Sequence, residues 1–239
     1  MDDELNALRR TRMRWNTPLS EAHAELLLDR MAPGPGDLTD FGCGWGELLL
    51  RAAGRTPGLR GTGVDTDGTS LARGRAAARE RGLAAQVEFV EADAATWDGP
   101  VGRGLCIGAS HAFGSTKAAL DRLARVVAPG GRLLFGDGYW AAPPSPTALE
   151  IFGGDILPLP ELLDAAAAAG WQVLHLSAAD QREWDDFEST SRAALAEWLL
   201  AHPADPRAAE VREWLGRRLR EYVGDYRGVL GFTYLVLGR

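Results

Sequence analysis

Three alternate glycines constrain this chain more than any other feature: Asp40-Phe41-Gly42-Cys43-Gly44-Trp45-Gly46 sits between a short apolar segment and a helix-forming one. Glycine opens backbone angles closed to other residues and lets the main chain come close to a ligand. The amides at a helix N-terminus bind polar or anionic groups. A strand that ends in such a turn and re-enters as a helix over 47–53 is the entrance to a nucleotide-like cofactor site. The spacing is G-x-G-x-G, with an acid, Asp40, two residues before the first glycine. A dinucleotide-binding turn would read G-x-G-x-x-G and lead with its glycine, so this loop departs from it by one residue and by its acid.

The remainder of the chain alternates in the same way. Leu5, Leu8 and Trp15 approximate one helical face, and Ser20 is placed to cap a second helix that runs through Met31 until Pro33-Gly34-Pro35-Gly36 stops it. Strand patterns follow at 61–64, 87–90, 105–107, 132–135 and 172–176. Helical patterns at 69–81, from Ser115 to Val127 and at 162–169 separate them. Strands separated by helices require crossovers, hence a mostly parallel sheet covered on both faces. Residues 178–228 break the rhythm and read as a helical insertion. Thr190 or Ser191 is expected to cap one helix there and Asp205-Pro206 to open another. The mixed acidic and aromatic stretch 181–188 before them reads either as a solvated loop anchored in the core or as a receiver of a cationic acceptor. Residues 229–237 are apolar and rich in β-formers, which suits a strand buried on both faces. A chain of 239 residues with 46% hydrophobic content can bury one large core. The expectation is a single domain over 1–239, with an N-terminal helical cap over 1–32 and a helical insertion or lid over 178–228.

Charge narrows the partners. Lysine plus arginine number 26 against 33 acids, a formal net charge of -7. That field does not favour a phosphate backbone or an acidic membrane surface, so a small acceptor is expected and neither nucleic acid nor membrane is. A homodimer is allowed. Cys43 and Cys106, the two cysteines, read as reduced thiols and are too few for a structural zinc site. The first residues lack the apolar stretch of a signal peptide and no run reaches the roughly 18 apolar residues of a membrane span, which together point to the cytoplasm.

The loop resembles motif I of the class I S-adenosylmethionine-dependent methyltransferases, and the resemblance runs along most of the chain. It implies an α/β fold with a doubly wound, mostly parallel seven-stranded Rossmann-like sheet, an antiparallel last strand, N-terminal helices and a helical insertion before that strand. It implies S-adenosylmethionine as cofactor, its aminocarboxypropyl end held by Asp40, Gly42, Cys43 and Gly44. Asp65, with Thr66 beside it, falls where the family keeps a carboxylate for the ribose hydroxyls, and a carboxylate can accept from both. Asp93 and Ala94 match the position that reads the adenine edge. Ala109 and His111 follow the fourth strand, where the family lines the passage to the acceptor. His111 and Tyr139 are the candidate catalytic groups, and Trp15, Trp140 and Trp184 the candidate acceptor contacts. Histidine can take a proton near neutral pH, while a purely pocket-shaping role is the alternative. Asp137, just past the fifth strand, points to the same side by topology.

Departures from the family's branches are informative. No Asn/Asp-Pro-Pro-Tyr/Phe follows the fourth strand and no Pro-Cys nucleophile is present. The fourth strand ends in Gly108-Ala109 and offers no carboxylate for magnesium, so no metal is expected. The function expected is methyl transfer to a small molecule by in-line displacement. The alternatives are a module that binds S-adenosylmethionine without transferring its methyl and, more remotely, a nicotinamide-dependent dehydrogenase.

Overall fold

A computed structural model describes residues 2–153 and 155–239. Among them seven strands form one sheet in the order β3-β2-β1-β4-β5-β7-β6. In chain order the strands are β1 (Gly36–Phe41), β2 (Leu59–Asp65), β3 (Val87–Glu91), β4 (Val101–Ile107), β5 (Val127–Trp140), β6 (Gln172–Ala178) and β7 (Leu230–Gly238). The pairs β1–β2, β1–β4, β2–β3 and β4–β5 are parallel. β7 enters between β5 and β6 and runs antiparallel to β6. This is the mostly parallel, Rossmann-like seven-stranded sheet with an antiparallel last strand that the sequence leads one to expect. The order reverses between β1 and β4, and in such sheets ligands bind at the carboxyl ends of the strands flanking that reversal.

The helices are α1 (Asp3–Thr11), α2 (Glu21–Met31), α3 (Glu47–Arg55), α4 (Gly68–Glu80), α5 (Thr116–Val126), α6 (Pro146–Phe152), α7 (Leu159–Ala168), α8 (Gln181–Ala201) and α9 (Ala208–Glu221). Ser20 caps α2 through the His23 amide and Ser115 caps α5 through the Ala118 amide, both as the sequence leads one to expect. Trp15 lies beyond the end of α1 and so is not on its face.

The chain forms two compact units. The sheet unit comprises Ser20–Tyr139, Leu157–Ala178 and Phe232–Arg239. Its core joins Phe41, Val64, Cys106, Leu120, Phe135 and Leu235, all buried. β7 is buried along its whole length, as an apolar strand covered on both faces should be. The helical unit comprises Met1–Leu19, Trp140–Ile156 and Ala179–Gly231. Its core centres on Leu5, Leu195 and Val211, with Leu8, Trp198, Trp214 and Leu215 packed around them.

Several local expectations are corrected. Thr190 and Ser191 do not start a helix; both lie inside α8, which begins ten residues earlier at a capping box. There the Asp180 carboxylate accepts from the Glu183 amide and the Glu183 carboxylate from the Asp180 amide. Residues 181–188 are therefore helix and not loop, and Glu188 is 0% exposed. Pro129-Gly130-Gly131 does not separate α5 from its strand. It lies within β5, which starts at Val127 and carries a register shift against β4 between Val101 and Arg103. α6, capped by Ser145, had no counterpart in the sequence reading.

Candidate active site

β1 lies between β2 and β4, with Asp40 opposite Gly63 on one side and Leu105 on the other. Past Phe41 the chain turns sharply. The Gly42 and Cys43 amides both donate to the Val64 carbonyl, at 2.8 and 3.0 Å. The Gly44 amide donates to Asp65 Oδ2 at 2.7 Å and the Gly46 amide to the Cys43 carbonyl at 2.8 Å. Gly42 has φ +71°, and a Cβ there would come within 2.3 Å of the Ala109 Cβ, so conformation and space both demand glycine. At Gly44, φ +54°, a Cβ would meet nothing within 4 Å; the loop faces open space there. With the Gly42, Cys43, Gly44 and Gly46 amides engaged, the first turn of α3, whose N-cap is Gly46 and which has no side-chain cap, has amides to offer a ligand.

Asp40 is 7% exposed. Among the described residues its carboxylate makes no hydrogen bond and no ion pair. Burial, with the charge of Asp65 adding to it, pushes the carboxyl up to about 7. A buried acid left without a partner at the foot of an open glycine turn, beside an uncapped helix N-terminus, suits an amino-acid group. The acid matches an ammonium and the helix amides match a carboxylate. The aminocarboxypropyl end of S-adenosylmethionine has that chemistry, so the residues present fit the cofactor.

Cys43 donates its thiol to the Gly44 carbonyl at 3.4 Å, and burial pushes this thiol up, as it does the Cys106 thiol on β4. Neither sulfur is poised as a nucleophile. Asp65 Oδ2 holds the Gly44 amide and its Oδ1 accepts from the Asp67 amide at 2.9 Å. One lone pair on each oxygen is left for another donor. Thr66 is exposed. Asp67, which the sequence reading passed over, caps α4 by accepting from the Thr69 and Ser70 amides and from the Ser70 hydroxyl. The signal for it was an acid just before an alanine-rich helix. Asp93 is exposed and its Oδ1 accepts from the Ala95 amide at 2.9 Å, capping a single 3-10 turn at Ala94–Thr96. Ala94 and Ala109 are buried.

After β4 the chain makes another 3-10 turn, Ser110–Phe113, that places His111 in solvent. The imidazole has no hydrogen-bond partner among the described residues. Asp137, on β5, is engaged through both oxygens: Oδ2 accepts from the Thr116 hydroxyl at 2.7 Å and Oδ1 from the Gly138 amide at 2.9 Å. Tyr139 is partly buried against the sheet-unit core. The structure thus brings Asp40, Gly42, Cys43, Gly44, Asp65 and Ala109 together around one turn.

The three tryptophans belong to the helical unit. Trp15 is half-buried; Trp140 meets Phe152 edge to face with centroids 6.3 Å apart; Trp184 is 8% exposed and meets Phe187 likewise at 6.0 Å. Within the same unit the acids of segment 181–188 are engaged. Glu188 accepts from Arg218 through both oxygens, at 2.8 and 3.2 Å, and from the Tyr226 hydroxyl at 2.8 Å. Asp185 accepts from Arg227 through both oxygens and from the Tyr222 hydroxyl at 2.6 Å.

Residues 38–131, the span from β1 into β5, match the family model described as "Methyltransferase domain". The Escherichia coli (strain K12) protein YjhP is 34% identical over 215 residues, which is 87% of this chain and 86% of that protein. The crystal structure of an S-adenosylmethionine-dependent methyltransferase from Geobacter sulfurreducens, in complex with S-adenosyl-L-homocysteine, superposes with a TM-score of 0.88 at 30% identity, covering 99% of this chain and 98% of that one. A second, from Thiobacillus denitrificans and also in complex with S-adenosyl-L-homocysteine, gives a TM-score of 0.86 at 29% identity, over 100% of this chain and 99% of that one. The chain belongs to the class I S-adenosylmethionine-dependent methyltransferases. Its activity is S-adenosylmethionine-dependent methyl transfer, and S-adenosylmethionine is its cofactor.

Proposed function

We propose that the methyl acceptor is a small molecule and that His111 accepts the proton the acceptor loses. Bound S-adenosylmethionine supplies an electrophilic methyl on a sulfonium; the chain's own task is to hold an acceptor lone pair in line with it and to receive the proton. Positioning of this kind can lower a barrier by about 7–11 kcal/mol in favourable cases. The observation that carries the reading is His111 itself, an exposed imidazole with no hydrogen-bond partner among the described residues, on the turn leaving the carboxyl end of β4. Tyr139, near the end of β5, is the second side chain assigned to this step. On the cofactor side, the open lone pairs of Asp65 are assigned to the ribose, Asp93 and the Ala94 amide to the adenine, and Asp40 to the ammonium.

Reception of a cationic amine by segment 181–188 loses its support, since Asp185 and Glu188 are neutralised by Arg227 and Arg218. The excess of acids supports an acceptor that is not nucleic acid. No helix of the described residues is long and apolar enough to cross a membrane. We assign the enzyme to the cytoplasm.

The test is incubation with methyl-labelled S-adenosylmethionine and a cell extract separated into small-molecule, protein and nucleic-acid fractions. Label in the small-molecule fraction is the expected result, and label confined to either macromolecular fraction overturns it. With the acceptor in hand, His111→Gln should lower kcat by about 100-fold or more while the Kd for S-adenosylhomocysteine holds. An unchanged kcat removes His111 as the base.

A further inference from the structure

We propose that Arg122, on α5, is a positioning residue for recognition of the cofactor's adenine: its guanidinium holds the turn Ala94–Thr96 through the Ala95 and Trp97 carbonyls, and so keeps Asp93 and the Ala94 amide in one arrangement. The inference rests on the assignment of Asp93 and the Ala94 amide to the adenine. It adds the group that aligns the two and makes the site selective between bases.

The turn has little to hold it from within. A single 3-10 turn closes few internal hydrogen bonds and leaves carbonyls at its end without partners. Here the Thr96 amide donates to the Asp93 carbonyl at 3.1 Å and the Trp97 amide to the Ala94 carbonyl at 3.3 Å. The rest comes from α5. Arg122 Nε donates to the Ala95 carbonyl at 3.0 Å, and Nη2 donates both to the Trp97 carbonyl and, at 3.0 Å, to Asp98 Oδ1. Ala95 is thereby held on both sides, its carbonyl by Arg122 and its amide by Asp93 Oδ1 at 2.9 Å. This run of bonds, Arg122 to Ala95 to Asp93, ties the orientation of the carboxylate to a guanidinium from a different element. Behind the turn the Trp97 indole N–H donates to the Gly99 carbonyl at 3.0 Å. The Trp97 ring meets Phe41, the residue before Gly42, edge to face with centroids 6.1 Å apart. Arg122 is half-buried, so its bonds to the two carbonyls are partly shielded from water, whereas Asp98 is 95% exposed and its ion pair contributes little.

A fixed turn discriminates where a mobile one does not. Adenine presents an exocyclic amine that donates and, next to it, a ring nitrogen that accepts. Asp93 Oδ2, which makes no hydrogen bond among the described residues, matches the amine, and the Ala94 amide matches the ring nitrogen. Hypoxanthine presents a carbonyl oxygen in place of the amine and an N–H in place of the ring lone pair. Both contacts then set like against like, and groups held in place do not turn to relieve it. Arginine suits the holding task because its planar fork of donors reaches two carbonyls at once. Arg122 touches no part of the cofactor in this scheme; it acts through Ala95 and Asp93.

The experiment is isothermal titration of the full-length protein with S-adenosylhomocysteine and with S-inosylhomocysteine, which carries hypoxanthine in place of adenine. The wild type should prefer the adenine ligand by about 100-fold, roughly tenfold for each mismatched contact. Arg122→Ala should weaken S-adenosylhomocysteine by about tenfold and leave S-inosylhomocysteine nearly unchanged, so that the preference falls by the same factor. Arg122→Lys keeps the charge but replaces the fork by a point donor, and should lose part of the preference in the same direction; it carries the test where Arg122→Ala does not fold. Asp98→Asn should keep the preference, since that exposed pair contributes little. A preference unchanged in both Arg122 variants, whether both ligands weaken equally or neither does, assigns Arg122 a purely structural role and overturns the proposal. Asp93→Asn separates this failure from that of the underlying reading. A preference lost in Asp93→Asn but kept in the Arg122 variants overturns the positioning role alone, and one kept in Asp93→Asn removes the adenine assignment and the proposal with it.

Discussion

Asp40 shows how one residue ties stability to binding. Folding raises its carboxyl from 3.8 to about 7. The contribution to stability is therefore fully present below the unfolded value and lost as pH rises through about 7, up to about 4 kcal/mol if the whole shift is realised. With the cofactor's ammonium assigned to Asp40, as proposed above, binding has the opposite sign, because an ammonium prefers the ionised acid. The expected outcome is that apo-protein stability, measured by urea denaturation, declines from pH 4 to 7 in the wild type and less so in Asp40→Asn. In the same range isothermal titration should show affinity for S-adenosylhomocysteine rising with pH in the wild type by up to about tenfold per unit and flat in the variant. Asp40 and the glycines were visible in the sequence as a motif. That this acid ends up without a partner was not, since it depends on which donors Val64, Asp65 and Cys43 draw away from the turn.

At the scale of elements, the caps at Ser20 and Ser115 were readable because a cap is a local hydrogen bond between residues three apart. α8 was misplaced for a related reason. Thr190 and Ser191 look like caps in isolation, but the reciprocal pair Asp180 and Glu183 starts the helix earlier, and Ser191 instead bonds the Glu188 carbonyl inside it. Continuing the helix through 188 is what sets Glu188 between Arg218 of α9 and Tyr226 of the π turn Tyr222–Tyr226. Replacing Glu188 by Ala leaves Arg218 without its acid and should cost roughly 3–5 kcal/mol, read as a lower urea midpoint. A loss below about 1 kcal/mol would mean the network contributes little to holding these helices.

For the whole molecule, ligand binding should report on the sheet unit, since the residues proposed to hold the cofactor, Asp40, Asp65 and the start of α3, all lie in it. S-adenosylhomocysteine at about 100 times its Kd should stabilise the protein by roughly 2.7 kcal/mol, which for a chain of this size is about 5–10 °C in Tm. The same concentration of NAD should give no shift; a shift with NAD alone would contradict the cofactor. The sequence by itself determined the parallel alternation, the glycine turn and the acids at three successive strand ends. These follow from local hydrogen bonding and from burial periodicity, which act over a few residues. Only the tertiary structure decided that Ala109 closes over Gly42, that the Thr116 hydroxyl reaches Asp137, and that Asp185 and Glu188 are neutralised within the helical unit. Each of those depends on side chains brought together from different elements, and no spacing along the chain encodes which donor reaches which acceptor.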